Sequence, residues 1–138
     1  MKKHLSLCLV CCCITAALTS LTACQKSLEE QAAREARQYT DRNCPAQLDE
    51  GLVIDSMTFD AFTHTFAYYY TLSGVLDNDT VVSSDVVSQA LLESLRNTTS
   101  MRAYKERGYQ FRYIYRSAST PDKVLHDLLF TKDDYQGR

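Results

Sequence analysis

The chain has no tryptophan, two prolines and four scattered glycines. Glycines so placed build no phosphate loop, dinucleotide fingerprint or Gly-x-Ser-x-Gly elbow. There is no basic run either. Fifteen Lys and Arg stand against 17 Asp and Glu, for a net charge of −2. A mildly acidic chain without a basic stripe is a poor partner for nucleic acid, and it lacks the polybasic stretch that would attract anionic lipid. Cysteine is nearly confined to the start. Of the six, only Cys44 lies beyond Cys24. One remaining thiol makes no internal disulfide, so packing must stabilise the domain. Cys44, just before Pro45, reads as a small, partly buried apolar residue. An intermolecular disulfide or a reactive thiol are the alternatives, and a nucleophile would need His64 or His126 as its base. Those two histidines are not spaced as metal ligands, and beyond residue 24 there is no His-x-His, His-x-x-x-His or Cys-x-x-Cys. Asp77-Asn78-Asp79 lacks the glycine and closing glutamate of a calcium loop. The expectation is a chain with no metal, no cofactor and no catalytic constellation.

The N-terminus carries the most specific pattern. Lys2 and Lys3 precede an uncharged apolar stretch from Leu5 to Leu18. That stretch is short of the roughly 20 residues a membrane span needs, but it fits the hydrophobic region of a signal peptide. Leu21-Thr22-Ala23-Cys24 comes directly after it. The arrangement resembles the lipobox of bacterial lipoproteins, in which the cysteine thiol is lipidated and becomes the first residue of the mature protein. The resemblance implies a signal peptide over 1–23, lipidation at Cys24 and attachment to a membrane without spanning it. An uncleaved membrane helix from Leu5 to Ala23 is the alternative. A single myristoyl chain holds a protein only marginally, whereas two or more acyl chains anchor it stably. Gln25, not Asp, comes after the cysteine. By analogy with enteric bacteria, this permits delivery to the outer membrane, the expected location where a cell has two membranes.

Beyond the leader, the pattern predicts elements in the order helix, two strands, helix, two strands. Residues 26 to 42 are rich in Ala, Glu, Gln and Arg, and contain no Gly or Pro. They read as a helix joining the lipid to the domain (24–42), packed at its Tyr39 end. Leu52 to Phe59 reads as a strand with Val53, Met57 and Phe59 on one face and Leu52 and Ile54 on the other. His64 to Leu72 is the clearest strand, since Phe66, Tyr68, Tyr70 and Leu72 alternate with Thr65, Ala67, Tyr69 and Thr71. Ser83 or Ser84 can cap a helix whose stripe includes Val86, Val87, Ala90, Leu91 and Leu95. A short helix from Met101 to Arg107 closes at Gly108. Tyr109, Phe111, Tyr113 and Tyr115 then alternate with Gln110, Arg112, Ile114 and Arg116. The last strand runs from Val124 to Phe130, with Val124, Leu128 and Phe130 on one face and Leu125 and Leu129 on the other. The residues from 132 on read as a polar tail that frays. Short connections within each strand pair predict two antiparallel hairpins. The predicted architecture is a two-layer α+β domain over 43–131, with a four-stranded antiparallel sheet packed on helices.

Asn43-Cys44-Pro45, Leu48-Asp49-Glu50, Ile54-Asp55-Ser56-Met57, Tyr68 to Leu72 and Arg107 to Tyr115 together resemble a family of small exported bacterial proteins without an assigned activity. Members often carry cysteines after the middle helix and near the C-terminus, where this chain has none. The resemblance supports the fold and implies no reaction.

Nine tyrosines are the strongest surface signal. Consecutive strand residues point to opposite faces, so Tyr69 cannot share a side with Tyr68 and Tyr70. If Phe66, Tyr68 and Tyr70 face the core, then Tyr69, Arg112 and Arg116 lie together on the open face and are the candidate binding residues. The expected role is a non-catalytic interaction module held in the envelope through Cys24, with an envelope protein as partner. The alternative is a small-ligand carrier or a vestigial enzyme with a pocket between helices and sheet.

Overall fold

A computed structural model describes residues 27–137. The proposed signal segment 1–23 and Cys24 lie outside the described residues. Residues 27–43 are helical and form α1, of which 27–32 belong to a first unit and 33–43 to a second.

The second unit is built on a five-stranded sheet in the order β1-β2-β3-β4-β5. The strands are β1 (Ala46–Asp49), β2 (Leu52–Asp60), β3 (Thr65–Leu72), β4 (Gln110–Ser117) and β5 (Val124–Phe130). Both expected hairpins are present, β2 with β3 and β4 with β5, each antiparallel. The expected four-stranded antiparallel sheet is corrected in two respects. A short edge strand, β1, pairs with β2, and the hairpins join through a parallel pairing of β3 with β4. A parallel join needs a long crossover. The segment between the hairpins supplies it with a 3₁₀ turn (Gly74–Leu76), α2 (Asp79–Val82), α3 (Asp85–Asn97) and α4 (Arg102–Glu106). Ser84 caps α3 by accepting a hydrogen bond from the Val87 amide.

The parallel register sets like against like. Phe66 lies beside Phe111, Tyr68 beside Tyr113 and Tyr70 beside Tyr115. All three pairs stack, with ring centroids 5.8, 5.1 and 4.9 Å apart. This ladder faces the helices. Tyr104 of α4 meets Phe66 edge-on at 4.8 Å, and Val82 of α2 joins Leu72, Tyr115 and Leu125 in one buried cluster. Leu91 of α3 packs against that cluster. From α1, Glu35 accepts a hydrogen bond from the Tyr104 hydroxyl at 2.8 Å. Thr40 of α1 bonds both the amide and the carbonyl of Met57, each at 2.8 Å. β1 pairs with β2 only as far as Ile54, so Met57 lies on a stretch of sheet edge beyond it. The threonine satisfies backbone groups that would otherwise offer a template for another strand.

Two bulges change the faces expected from strict alternation. In β2 the register shifts between Ile54 and Ser56. Ile54 thereby joins Met57 in the core, while Val53 pairs with Thr71 on the other side. In β5 the shift opposite Tyr115 and Arg116 sends Leu125 into the core and leaves Val124 exposed. A bulge inserts one residue and reverses the alternation of the residues beyond it, which a period-two reading does not detect.

The expected fraying tail is a further correction. Residues Lys132–Gln136 form α5, opened by a capping box between Thr131 and Asp134. Tyr135 is buried and its hydroxyl donates to the Tyr109 carbonyl at 2.7 Å. Arg96 donates to the carbonyls of Asp134 and Gly137. At the first strand turn a glycine is required by close approach. Gly51, at φ +76°, turns β1 into β2 where an added Cβ would lie 2.6 Å from the Ser73 carbonyl oxygen.

Candidate functional site

The side of the sheet that no described helix covers carries the sequence-predicted residues. Tyr69 of β3 pairs with Ile114 of β4, and Arg112 and Arg116 lie two residues to either side of that partner. The Arg116 guanidinium sits over the Tyr69 ring, 5.3 Å from its centroid. That distance suits a cation–π contact. Arg112 instead points to β5, where it forms a two-pronged pair with Asp127 at 2.8 and 2.6 Å. So the structure unites Tyr69 with Arg116 and commits Arg112 to a neighbouring carboxylate. The Arg112 hydrogen bond holds the Asp127 carboxyl below the ordinary carboxylate range.

Beneath these long side chains the sheet is closed. Ala67 and Ile114 are buried although no described helix covers them. Arginine stems and the tyrosine ring shield apolar surface in this way while their polar ends stay in water.

Sequence reasoning missed the contribution of β2. Its bulge brings both Asp55 and Ser56 to the open side, with Thr58 and Asp60 further along. Two shallow hollows result. One is lined by Thr58, Asp60, Thr65, Gln110 and Arg112, among others, and the second by Asp55, Ser56, Thr71 and Arg116; Tyr69 and Thr58 line both. Several of these groups are held from behind. Thr71 donates to Asp55 at 2.7 Å, and the Gln110 side-chain carbonyl accepts from Thr65 at 3.3 Å. Asp60 accepts the Phe62 amide at 2.8 Å, a bond that lowers its pKa. The only sequence signal for β2 was its polar residues at alternate positions, and the bulge shifts their phase.

The other singled-out residues serve the fold. Asp77 accepts from the Ser117 hydroxyl and the Ser119 amide, Asn78 caps α2, and Asp79 pairs with Lys123 at 2.8 Å. Asp134 caps α5. Cys44 is a half-buried free thiol whose pKa is raised, chiefly by burial. Among the described residues, no group of three or more His, Cys, Asp or Glu side chains is placed to hold a metal ion.

The helix side is different in kind. Tyr68, Tyr70 and Tyr113 are only half-buried there, and burial pushes all three hydroxyls well above the usual tyrosine range. On α3, Leu95 is buried and Leu91 is half-buried, but Val86 remains 78% exposed and Ala90 is exposed.

Together these features define a two-layer α+β protein with an aromatic, helix-covered face and a polar open face. The chain belongs to the family described as Domain of unknown function (DUF8479), which matches residues 27–126. No curated protein matches it. Three solved structures share the fold. A candidate secreted protein of Pseudomonas aeruginosa, PA3611, matches with a TM-score of 0.68 and 14% identity, over 80% of this chain and 95% of that one. The type II secretion system pilotin AspS of Vibrio cholerae matches with a TM-score of 0.61 and 19% identity, over 83% and 98% of the two chains. The type 2 secretion system pilotin EpsS of Vibrio vulnificus matches with a TM-score of 0.59 and 13% identity, over 83% and 96%. Among the described residues, no helix is long and apolar enough to cross a membrane.

Proposed function

We propose that this chain is a lipid-anchored, non-catalytic module of the bacterial envelope that binds a protein partner, in the manner of a secretion-system pilotin. The observation that carries the reading is the extent of the shared fold, which spans nearly the whole length of both Vibrio pilotins. The leader ending at Leu21-Thr22-Ala23-Cys24 supports it independently, because it supplies an export route and an attachment point. Gln25 after the cysteine fits outer-membrane delivery. The uncovered part of α3, Val86 and Ala90, offers an apolar place for a partner's own apolar surface.

The test has two parts. Metabolic labelling with an alkyne fatty acid should mark the wild type and not Cys24→Ala. A secretion-system component should co-purify with the full-length tagged protein from intact envelopes and be lost with Val86→Asp. Equal labelling of wild type and Cys24→Ala would remove the anchor. Recovery of no secretion-system component would remove the pilotin-like role.

A further inference from the structure

We propose that the open face of the sheet is a second binding site, for a polyhydroxylated chain: a glycan lying across Tyr69. Several hydrogen-bonding side chains on this face are already engaged, and each keeps an atom in reserve. Asp55 receives Thr71 through Oδ2, which leaves Oδ1. Gln110 receives Thr65 through Oε1, which leaves the Nε2 amide. Arg112 gives Nε and Nη2 to Asp127, which leaves Nη1. Asp55 and Arg112 are each fixed by a neighbour and retain one atom for a ligand, and Gln110, in longer contact with the Thr65 hydroxyl at 3.3 Å, retains its amide. That is how a binding residue is kept in place before the ligand arrives. The hydroxyls of Ser56, Thr58 and Tyr69 have no hydrogen-bond partner among the described residues, and all three line the hollows.

The chemical mixture selects the ligand class. Asp55 offers an acceptor, Gln110 and Arg112 offer donors, and the three hydroxyls act as either. A phosphate or carboxylate ligand would want donors alone, and a cation acceptors alone. A sugar hydroxyl donates and accepts at once, so it uses both kinds. Charge is close to balanced: Arg112 is paired with Asp127, Arg116 shares its hollow with Asp55, and Asp60 adds one carboxylate, which accepts the Phe62 amide. The geometry sets the length. Two shallow hollows meet at Tyr69 and Thr58, so a chain of sugar units crosses the strands where a single sugar would fill one hollow. The Tyr69 ring, one face of which Arg116 covers, and the half-exposed Leu129 supply the apolar contact that the C–H face of a sugar needs. This surface lies on the opposite side of the sheet from α3, so it is separate from the partner surface proposed above.

The experiment uses the full chain in a detergent without a sugar head group. It is immobilised and offered hexasaccharides of N-acetylglucosamine, cellulose type and maltose type. At least one hexasaccharide should be retained, insensitive to high salt. Thr58→Val and Gln110→Ala should each weaken it, and Tyr69→Ala by at least about tenfold, the equivalent of about 1.4 kcal/mol. Val86→Asp should bind like wild type, which separates a failure here from a failure of the pilotin-like reading. Thr58→Val and Gln110→Ala change exposed or half-buried polar groups, so an unaltered thermal midpoint shows that they fold. Three results would each overturn the proposal. One is retention of none of the three sugars at about millimolar concentration. Another is unchanged binding by Thr58→Val and Gln110→Ala. The last is binding that sulfate displaces and salt abolishes, which would mark an anion site built on Arg116.

Discussion

Between Phe66 and Tyr70 on β3, and between Phe111 and Tyr115 on β4, every side chain facing the helices is aromatic, whereas the opposite side carries Ala67, Tyr69, Arg112 and Ile114. The same two strands therefore present two different surfaces. Parallel, in-register pairing places identical positions side by side, so the helix side becomes a stack of rings. Stacked aromatic pairs add about 0.5–1.5 kcal/mol beyond the burial of their area. On the open side the same register places an arginine over a tyrosine, and nearby polar groups remain in contact with water. One face holds the domain together. The other buries only Ala67 and Ile114 of these residues and keeps its polar ends at the water surface.

The sharpest way to break this comparison is to remove one ring from each face. Phe111 is fully buried, between Phe66 and Tyr135. Phe111→Ala should cost about 3–5 kcal/mol, the usual range for a large aromatic removed from a core. Tyr69→Ala, on the open side, should cost about 1 kcal/mol, because it loses an exposed cation–π contact and partial cover over Ile114. Urea melts of both variants measure the difference. Equal losses would mean that the open face is covered in the native protein and that the two faces are not distinct.

Much of this contrast was legible in the chain. The alternation in β3 and β4 assigned Tyr69, Arg112 and Arg116 to one side and the ring ladder to the other, because a charged guanidinium is costly to bury unpaired. The order of β2 to β5, and of α3 and α4 between the hairpins, was also readable from caps and breakers such as Ser84 and Gly108, whereas the edge strand β1 was not. The parallel join was not, because two hairpins leave open how they meet and the register of Tyr68 beside Tyr113 is a long-range fact. The bulges were invisible for a related reason. Ile54 enters the core only because one extra residue opposite β3 shifts the phase, and nothing local to Asp55-Ser56 announces it. The helix α5 escaped because its stability comes from Arg96 and Tyr109, far away in sequence, not from its own short and polar composition. The site was half-legible on the same grounds. The residues of β3 and β4 could be named, but those of β2 depended on the bulge.

Alkaline titration sharpens the comparison without a mutation. Burial pushes Tyr115 up to about 12 from the ordinary 10.0, and raises Tyr68, Tyr70 and Tyr113 as well. A folded-state pKa above the unfolded value stabilises the native state fully below the unfolded value. That stability is lost as pH rises from 10 through the folded values. The thermal midpoint should therefore hold up to about pH 10 and fall steeply above it. Phenolate absorbance should show the ladder tyrosines ionising together with unfolding. Smooth ionisation of every tyrosine near the ordinary value, in protein that stays folded, would mean that the ladder is open to water.

The smallest expected effect concerns Arg112 and Asp127. Their geometry is good, but both side chains are exposed, at 48% and 38%. An exposed ion pair is screened by water and salt and must also restrain two side chains. It contributes about 0.2–1 kcal/mol even when its hydrogen bonds are well formed. Arg112→Ala should therefore cost under about 1 kcal/mol, far less than Phe111→Ala on the same strand. A double-mutant cycle with Asp127→Ala isolates the pairwise part, and its value should shrink in high salt. The acid limb gives a second reading of the same pair. Because Asp127 is held below its ordinary 3.8, its contribution is complete above that value and lost as pH falls through the lowered one. Near neutral pH the cycle should thus be flat, with the coupling vanishing only in acid. A coupling well above about 1 kcal/mol would show that the pair is shielded from solvent. In that case Arg112 would hold β5 to β4 as part of the fold, and the contrast between the helix-covered face and the open face would have to be redrawn around it.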